Sequence, residues 1–86
     1  MPPSPLHILY VDDEEVLLDV AKRFLERTGE FVVDTVPSGQ DALDLIKGGR
    51  FDAVVSDYQM PGMDGIELLI EVRSWYGDLP FILFTG

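Results

Sequence analysis

At 86 residues the chain has the length of one domain with a limited core. Asp and Glu number 16 against 6 Lys and Arg, a formal net charge of −10, which disfavours direct contact with nucleic acid or an anionic membrane. The absence of cysteine excludes a disulfide, a thiol nucleophile or a thiolate zinc site, and with no membrane-length apolar stretch or signal-peptide pattern a cytoplasmic protein is expected.

The opening Met1-Pro2-Pro3-Ser4-Pro5 reads as a short extended lead-in to a domain over residues 6–86. Leu6-His7-Ile8-Leu9-Tyr10-Val11 has the pattern of a buried strand and stops at Asp12-Asp13. Val16, Leu17, Val20, Ala21, Phe24 and Leu25 then recur at spacings of one, three and four. They predict an apolar stripe on a helix from about Glu14 to Thr28, ended by Gly29. Phe31-Val32-Val33-Asp34-Thr35-Val36 predicts a second strand. Ser38 is suited to cap the next helix, with Asp41 near its positive end. Ala42, Leu43, Leu45 and Ile46 supply its buried side, and Gly48-Gly49 stops it.

A third strand is expected over Phe51–Ser56, stopping at Asp57. Met60-Pro61-Gly62-Met63-Asp64-Gly65 reads as a loop that forms one wall of a crevice. Asp64, with Glu67 three residues on, has the spacing of a capping box. In the helix that follows, Ile66, Leu69, Ile70 and Trp75 are expected to face the core. Gly77 to Pro80 turns the chain into a last strand, Phe81-Ile82-Leu83-Phe84, which ends at Thr85. The alternation β-α-β-α-β-α-β implies a parallel sheet with right-handed crossovers.

Ligands of such sheets bind just beyond the carboxyl ends of the strands. Asp12, Asp13 and Asp57 stand at two such ends, so they would converge on one crevice and repel. A hard cation relieves that repulsion, and Mg²⁺ prefers oxygen ligands of this kind. An exposed carboxylate there can also attack phosphorus and form an aspartyl phosphate. Taken singly, Asp57 would be an acceptor in a turn, Asp12-Asp13 would be acids favouring a helix N-terminus, and Thr85 would be a β-branched strand end. Glu14 and Glu15 serve the helix dipole and solvent, and His7, away from the crevice end, reads as a core or edge residue.

Val11-Asp12-Asp13-Glu14, Asp57, Met60-Pro61-x-Met63-Asp64-Gly65 and Thr85, in this order and spacing, resemble the receiver domain of two-component response regulators. The resemblance runs from about Leu6 to Gly86. It implies a flavodoxin-like α/β fold with strand order 2-1-3-4, the fifth strand and last helices being absent from the chain. That order places the first and third strands side by side. It also implies that Asp57 accepts a phosphoryl group from a histidine kinase in a Mg²⁺-dependent reaction, and that a conformational change signals to an effector domain or protein. Asp13, Asp57 and the backbone carbonyl of Gln59 would ligate Mg²⁺ directly, and Asp12 would act mostly through water. The hydroxyl of Thr85 would bond the phosphoryl group and move when it arrives, with Gly86 leaving room. Such a domain is not an enzyme beyond assisting its own phosphorylation and dephosphorylation.

A full receiver continues into a fifth strand that ends in a lysine pairing with the phosphoryl group. Lys22 and Lys47, on the first and second helices, do not match it, so phosphorylation of this chain is expected to be slow or its output lost, and the chain is expected to be a fragment of a longer protein. Two other readings stay open. One is a receiver-fold interaction or dimerisation module that is not phosphorylated. The other is a Mg²⁺-dependent phosphohydrolase, which would need a further acid or base that the sequence does not offer. Phe81-Ile82-Leu83-Phe84 would form an open apolar sheet edge, and such edges recruit other strands. Homo-oligomers or low stability are therefore expected; sedimentation velocity showing a clean, stable monomer would overturn this.

Overall fold

Runs rich in β-branched residues alternate with helical periods, and the chain folds accordingly. In the computed structural model, which describes residues 4–85, the elements are β1 (Leu6–Val11), α1 (Glu15–Glu26), β2 (Phe31–Val36), α2 (Gly39–Gly48), β3 (Ala53–Asp57), α3 (Gly65–Trp75) and β4 (Phe81–Phe84). The four strands pair in parallel in the order β2-β1-β3-β4, as the family resemblance implied. The lead-in before Ser4 and Gly86 lie outside the described residues.

Strand alternation divides the core between the two faces of the sheet. Leu9, Val11, Val36 and Val54 meet Ala42, Leu43 and Ile46 of α2 and Leu68 and Val72 of α3 in one buried cluster. Tyr10 projects from the other face, where α1 lies against β2 and β1. Two side chains of α1 also close the outer edge of β2. Lys22 Nζ donates to the Val33 carbonyl at 2.6 Å, and the Val33 amide donates to Glu26 Oε2 at 2.9 Å. An edge strand thus loses one pairing position that another chain would otherwise use.

The helix starts follow the expected side-chain chemistry. Ser38 Oγ accepts from the Asp41 amide at 3.1 Å. At α3, Asp64 Oδ1 accepts from the Glu67 amide at 2.8 Å while the Asp64 amide donates to Glu67 Oε1, a complete capping box. The chain leaves α1 through Gly29, whose φ of 78° lies in the left-handed region.

Four expectations need correction. The third strand begins at Ala53 rather than Phe51 and includes Asp57. Asp52 is held just before it by exchanging bonds with His7: its amide donates to the His7 carbonyl and its carboxylate accepts from the His7 amide. The core face of α3 is Gly65, Leu68 and Val72, whereas Ile66, Ile70 and Trp75 are exposed, Trp75 by 71%. This helix carries apolar residues nearly all round, so several phases fit the pattern, and the one adopted seats Gly65 against β3 and buries Leu68 and Val72. On α1 the buried residue is Leu18, absent from the predicted stripe; Val16, Leu17, Val20 and Phe24 are exposed. The stripe instead borders a groove floored by Tyr10 and Phe84. On α2 the structure agrees except at Leu45, which is exposed.

The phase of α3 has a direct energetic test. Leu68→Ala should cost about 2–5 kcal/mol in urea-induced unfolding, as buried Leu truncations do. Ile70→Ala should stay within about 0.5 kcal/mol of wild type. Equal losses would mean that the helix is rotated from the position described.

Candidate functional site

Strand order decides what meets at the carboxyl edge. β1 and β3 are neighbours in register, Val11 beside Ser56, so the chain leaves both strands at the same level. Asp12 and Asp13 continue β1, and Asp57 is the last residue of β3. One carboxylate oxygen from each lies within 4.8 Å of the others. Asp12 is buried, Asp57 half-buried and Asp13 exposed.

The three carboxylates have little local relief. Asp12 Oδ1 accepts from the Glu14 amide at 3.0 Å, but its buried Oδ2 has no hydrogen-bond partner. Burial, then the charges of Asp57 and Asp13, push its carboxyl above the usual carboxylate range, against the lowering effect of the Glu14 amide. For the Asp12–Asp57 pair, repulsion at this separation is on the order of 3 kcal/mol at an effective dielectric of about 20. The orphaned oxygen and the all-oxygen donor set are both compatible with Mg²⁺.

The other predicted site residues lie on the same edge. Gln59 is exposed two residues after Asp57, and its amide donates to Asp57 Oδ1 at 3.4 Å. Thr85 is exposed one residue beyond Phe84, the register partner of Asp57. The two lysines lie elsewhere. Lys22 is engaged at the β2 edge with Val33 and Glu26, and Lys47 sits in the last turn of α2. His7 is also remote in role: its Nε2 lies 2.9 Å from Asp34 Oδ2 and its ring packs on Phe51. It stands half-buried at the start of the interior strand β1, away from the crevice end.

Two neighbours of the cluster escaped the sequence reading. Tyr10 stands two residues before Asp12, and its phenol is pushed up by burial and then by the charges of Asp12 and Asp57. Its ring lies against Phe84, with centroids 5.6 Å apart. Ser56 is fully buried and its Oγ donates to the Asp57 carbonyl at 3.0 Å. The available signals were a Tyr with i, i+2 spacing to Asp12 and a lone hydroxyl in an apolar run just before Asp57.

A flavodoxin-like α/β domain with an acidic cluster at the carboxyl edge of its two central strands is the class that fold and site define. The model of the response regulator receiver domain matches residues 8–86, and the chain belongs to that family, the signalling receiver domains of two-component systems. It is similar to the response regulator MprA of Mycolicibacterium vanbaalenii, 41% identical over 82 residues that make up 95% of this chain and 35% of that protein. It thus spans about a third of the length of that relative. Among solved structures it resembles the response regulator TrrA of Thermotoga maritima in complex with Mg²⁺-BeF, with a TM-score of 0.88 and 36% identity, over 93% of this chain and 69% of that one. It also matches the structure of the histidine kinase ThkA in complex with TrrA, with a TM-score of 0.88 and 36% identity, over 94% of this chain and 69% of that one. No helix among the described residues is long and apolar enough to cross a membrane.

The raised carboxyl of Asp12 sets a pH dependence. The folded chain holds a proton that the unfolded chain releases at the ordinary carboxylate value of about 4. Its stabilising contribution is therefore complete below that value and is lost as pH rises through the higher folded value. Measured by urea unfolding in chelator, wild type should lose stability relative to Asp12→Asn as pH rises from about 4. Saturating Mg²⁺ should reverse part of that loss, because the cation favours the ionised cluster. Parallel pH profiles for the two proteins would show that Asp12 carries no such shift.

Proposed function

We propose that this chain is a phosphoacceptor receiver whose Asp57 takes a phosphoryl group from a histidine kinase and passes the signal on by a change of conformation. The observation that carries this reading is the convergence of Asp12, Asp13 and Asp57 at one edge, with one buried carboxylate oxygen left without a partner. Asp57 ends its strand half-buried, so its carboxylate can be approached from the solvent side of the crevice. A carboxylate oxygen attacks phosphorus as the bond from phosphorus to the donor nitrogen breaks. The electron pair of that bond returns to the imidazole.

Asp13, Asp57 and the Gln59 carbonyl would hold Mg²⁺ directly, with Asp12 acting mostly through water. When bound, the ion neutralises charge on the phosphoryl oxygens. Thr85 supplies a hydroxyl that donates to the phosphoryl group once it is attached. The partners are a histidine kinase and a downstream effector domain or protein, in the cytoplasm. The complex of TrrA with its kinase supports the choice of partner by similarity.

A second reading, a docking module that is never phosphorylated, is favoured by one observation. Leu17, Val20 and Phe24 on α1 are exposed along a groove that Tyr10 and Phe84 also line. Intact mass spectrometry after incubation with Mg²⁺ and a small phosphodonor separates the two. One added phosphoryl group is expected on wild type, and none on Asp57→Asn or in the presence of chelator. An adduct that persists in Asp57→Asn would remove Asp57 from the role; no adduct on wild type under any condition would favour docking.

A further inference from the structure

We infer that Gly65 is a positioning residue for the phosphoacceptor. The start of α3 is seated directly against the end of β3. A Cβ at position 65 would overlap the Asp57 carbonyl oxygen, lie 2.6 Å from Leu83 Cδ2 and 3.0 Å from the Tyr58 Cα. Leu83 could turn aside, being the end of a flexible side chain, but two of the three contacts are main chain. The backbone after the acceptor is held on both sides. The Tyr58 amide donates to the Phe84 carbonyl at 2.8 Å, and the Tyr58 carbonyl accepts from the Gly65 amide at 2.9 Å. The Asp57 carbonyl is also bonded by Ser56 Oγ.

Residues 57–65 therefore form a loop whose two ends touch, and the touching atoms are those of the acceptor itself. That loop carries the Gln59 carbonyl as well as the Asp57 carboxylate. A methyl group at 65 must push apart the end of β3 and the start of α3, and β3 is fixed to β4 and β1 by its ladders. Movement of β3 shifts Asp57, and movement of α3 draws with it the loop that carries Gln59, in each case relative to Asp12 and Asp13, which are anchored on a different strand. The role concerns geometry and not charge, because glycine brings no side chain to the site.

This inference rests on the Mg²⁺-dependent phosphoacceptor reading, and the wild-type arm of the test separates the two. Mg²⁺ affinity is measured by titration calorimetry on wild type, Gly65→Ala and Gly48→Ala, together with the folded fraction of each. Gly48 is a helical glycine at which an added Cβ would meet nothing within 4 Å. Gly65→Ala should weaken Mg²⁺ binding per folded molecule at least tenfold, while Gly48→Ala stays within twofold of wild type. A purely structural glycine would lower the folded fraction and leave the affinity of the folded molecules intact, and that result overturns the inference. Comparing Leu83→Ala with Leu83→Ala/Gly65→Ala removes the side-chain overlap and keeps the main-chain one. The double variant should remain at least tenfold weaker than Leu83→Ala, and recovery to within twofold overturns the inference. If the Gly65 variants do not fold, amide hydrogen exchange on wild type decides. Exchange at Gly65 should slow several-fold on saturation with Mg²⁺ while Gly48 stays unchanged, and an unchanged Gly65 amide overturns the inference. Absence of Mg²⁺ binding by wild type overturns the functional reading, and this inference with it.

Discussion

Three like charges held at one sheet edge are the constraint around which the rest of this structure is arranged. Free carboxylates separate in water, where hydration and distance both relieve repulsion. Here the parallel pairing of β1 with β3 brings Asp12, Asp13 and Asp57 together, and Asp12 is largely cut off from solvent. The surrounding apolar contacts must supply the free energy that holds this arrangement. Buried Leu9, Val11 and Val54 lie in the same strands as the acids, and each fully buried side chain of this kind contributes about 1.5–3 kcal/mol. Core and site are thus successive parts of the same strands. The core fixes the strand ends, and the strand ends carry the charge.

The backbone around Asp57 is correspondingly over-determined. Ser56 bonds the Asp57 carbonyl, Tyr58 is tied to both β4 and α3, and the capping box at Asp64 and Glu67 fixes where α3 begins. Met63 packs against Gly39 and so braces the same loop on α2. Each contact is worth little alone, typically about 1 kcal/mol for a hydrogen bond. Together they leave the loop after β3 few ways to relax while like charges push on its first residue. The proposed phosphoryl transfer would draw on preorganisation of this kind.

Much of this was legible in the sequence, because the signals were local. Short β-branched runs marked four strands, Ser38 and Asp64 marked two helix starts, and the acids at strand ends marked the crevice. What sequence could not resolve depended on partners distant along the chain. The phase of α3 is not fixed by the sequence pattern because Ile66, Leu69 and Ile70 are as apolar as Leu68 and Val72, and the phase that also seats Gly65 against β3 depends on contacts distant along the chain. Leu18 was missed for a related reason. The stripe on α1 is broad, and only the side resting on β2 is covered. Ser56 and Tyr10 were invisible as site neighbours because their roles depend on the register of β1 with β3 and on the contact with Phe84.

The same connections bear on how a charge added at Asp57 would be felt elsewhere. Asp57 and Phe84 are register partners, and the Tyr58 amide is bonded to the Phe84 carbonyl. Tyr10, which already senses the charges of Asp12 and Asp57, rests its ring on Phe84. Displacement of the main chain at Asp57 therefore has two short outlets, one through Tyr58 to the end of β4 and Thr85, the other through Gly65 to α3. The β2 edge lies on the far side of β1, and its Val33 backbone is bonded by Lys22 and Glu26. Proximity alone does not make a switch; a segment with two arrangements does. The end of β4 is the less constrained of the two outlets. Thr85 there is exposed and Ile82 is 57% exposed, whereas α3 is anchored by its capping box and by the fully buried Leu68 and Val72.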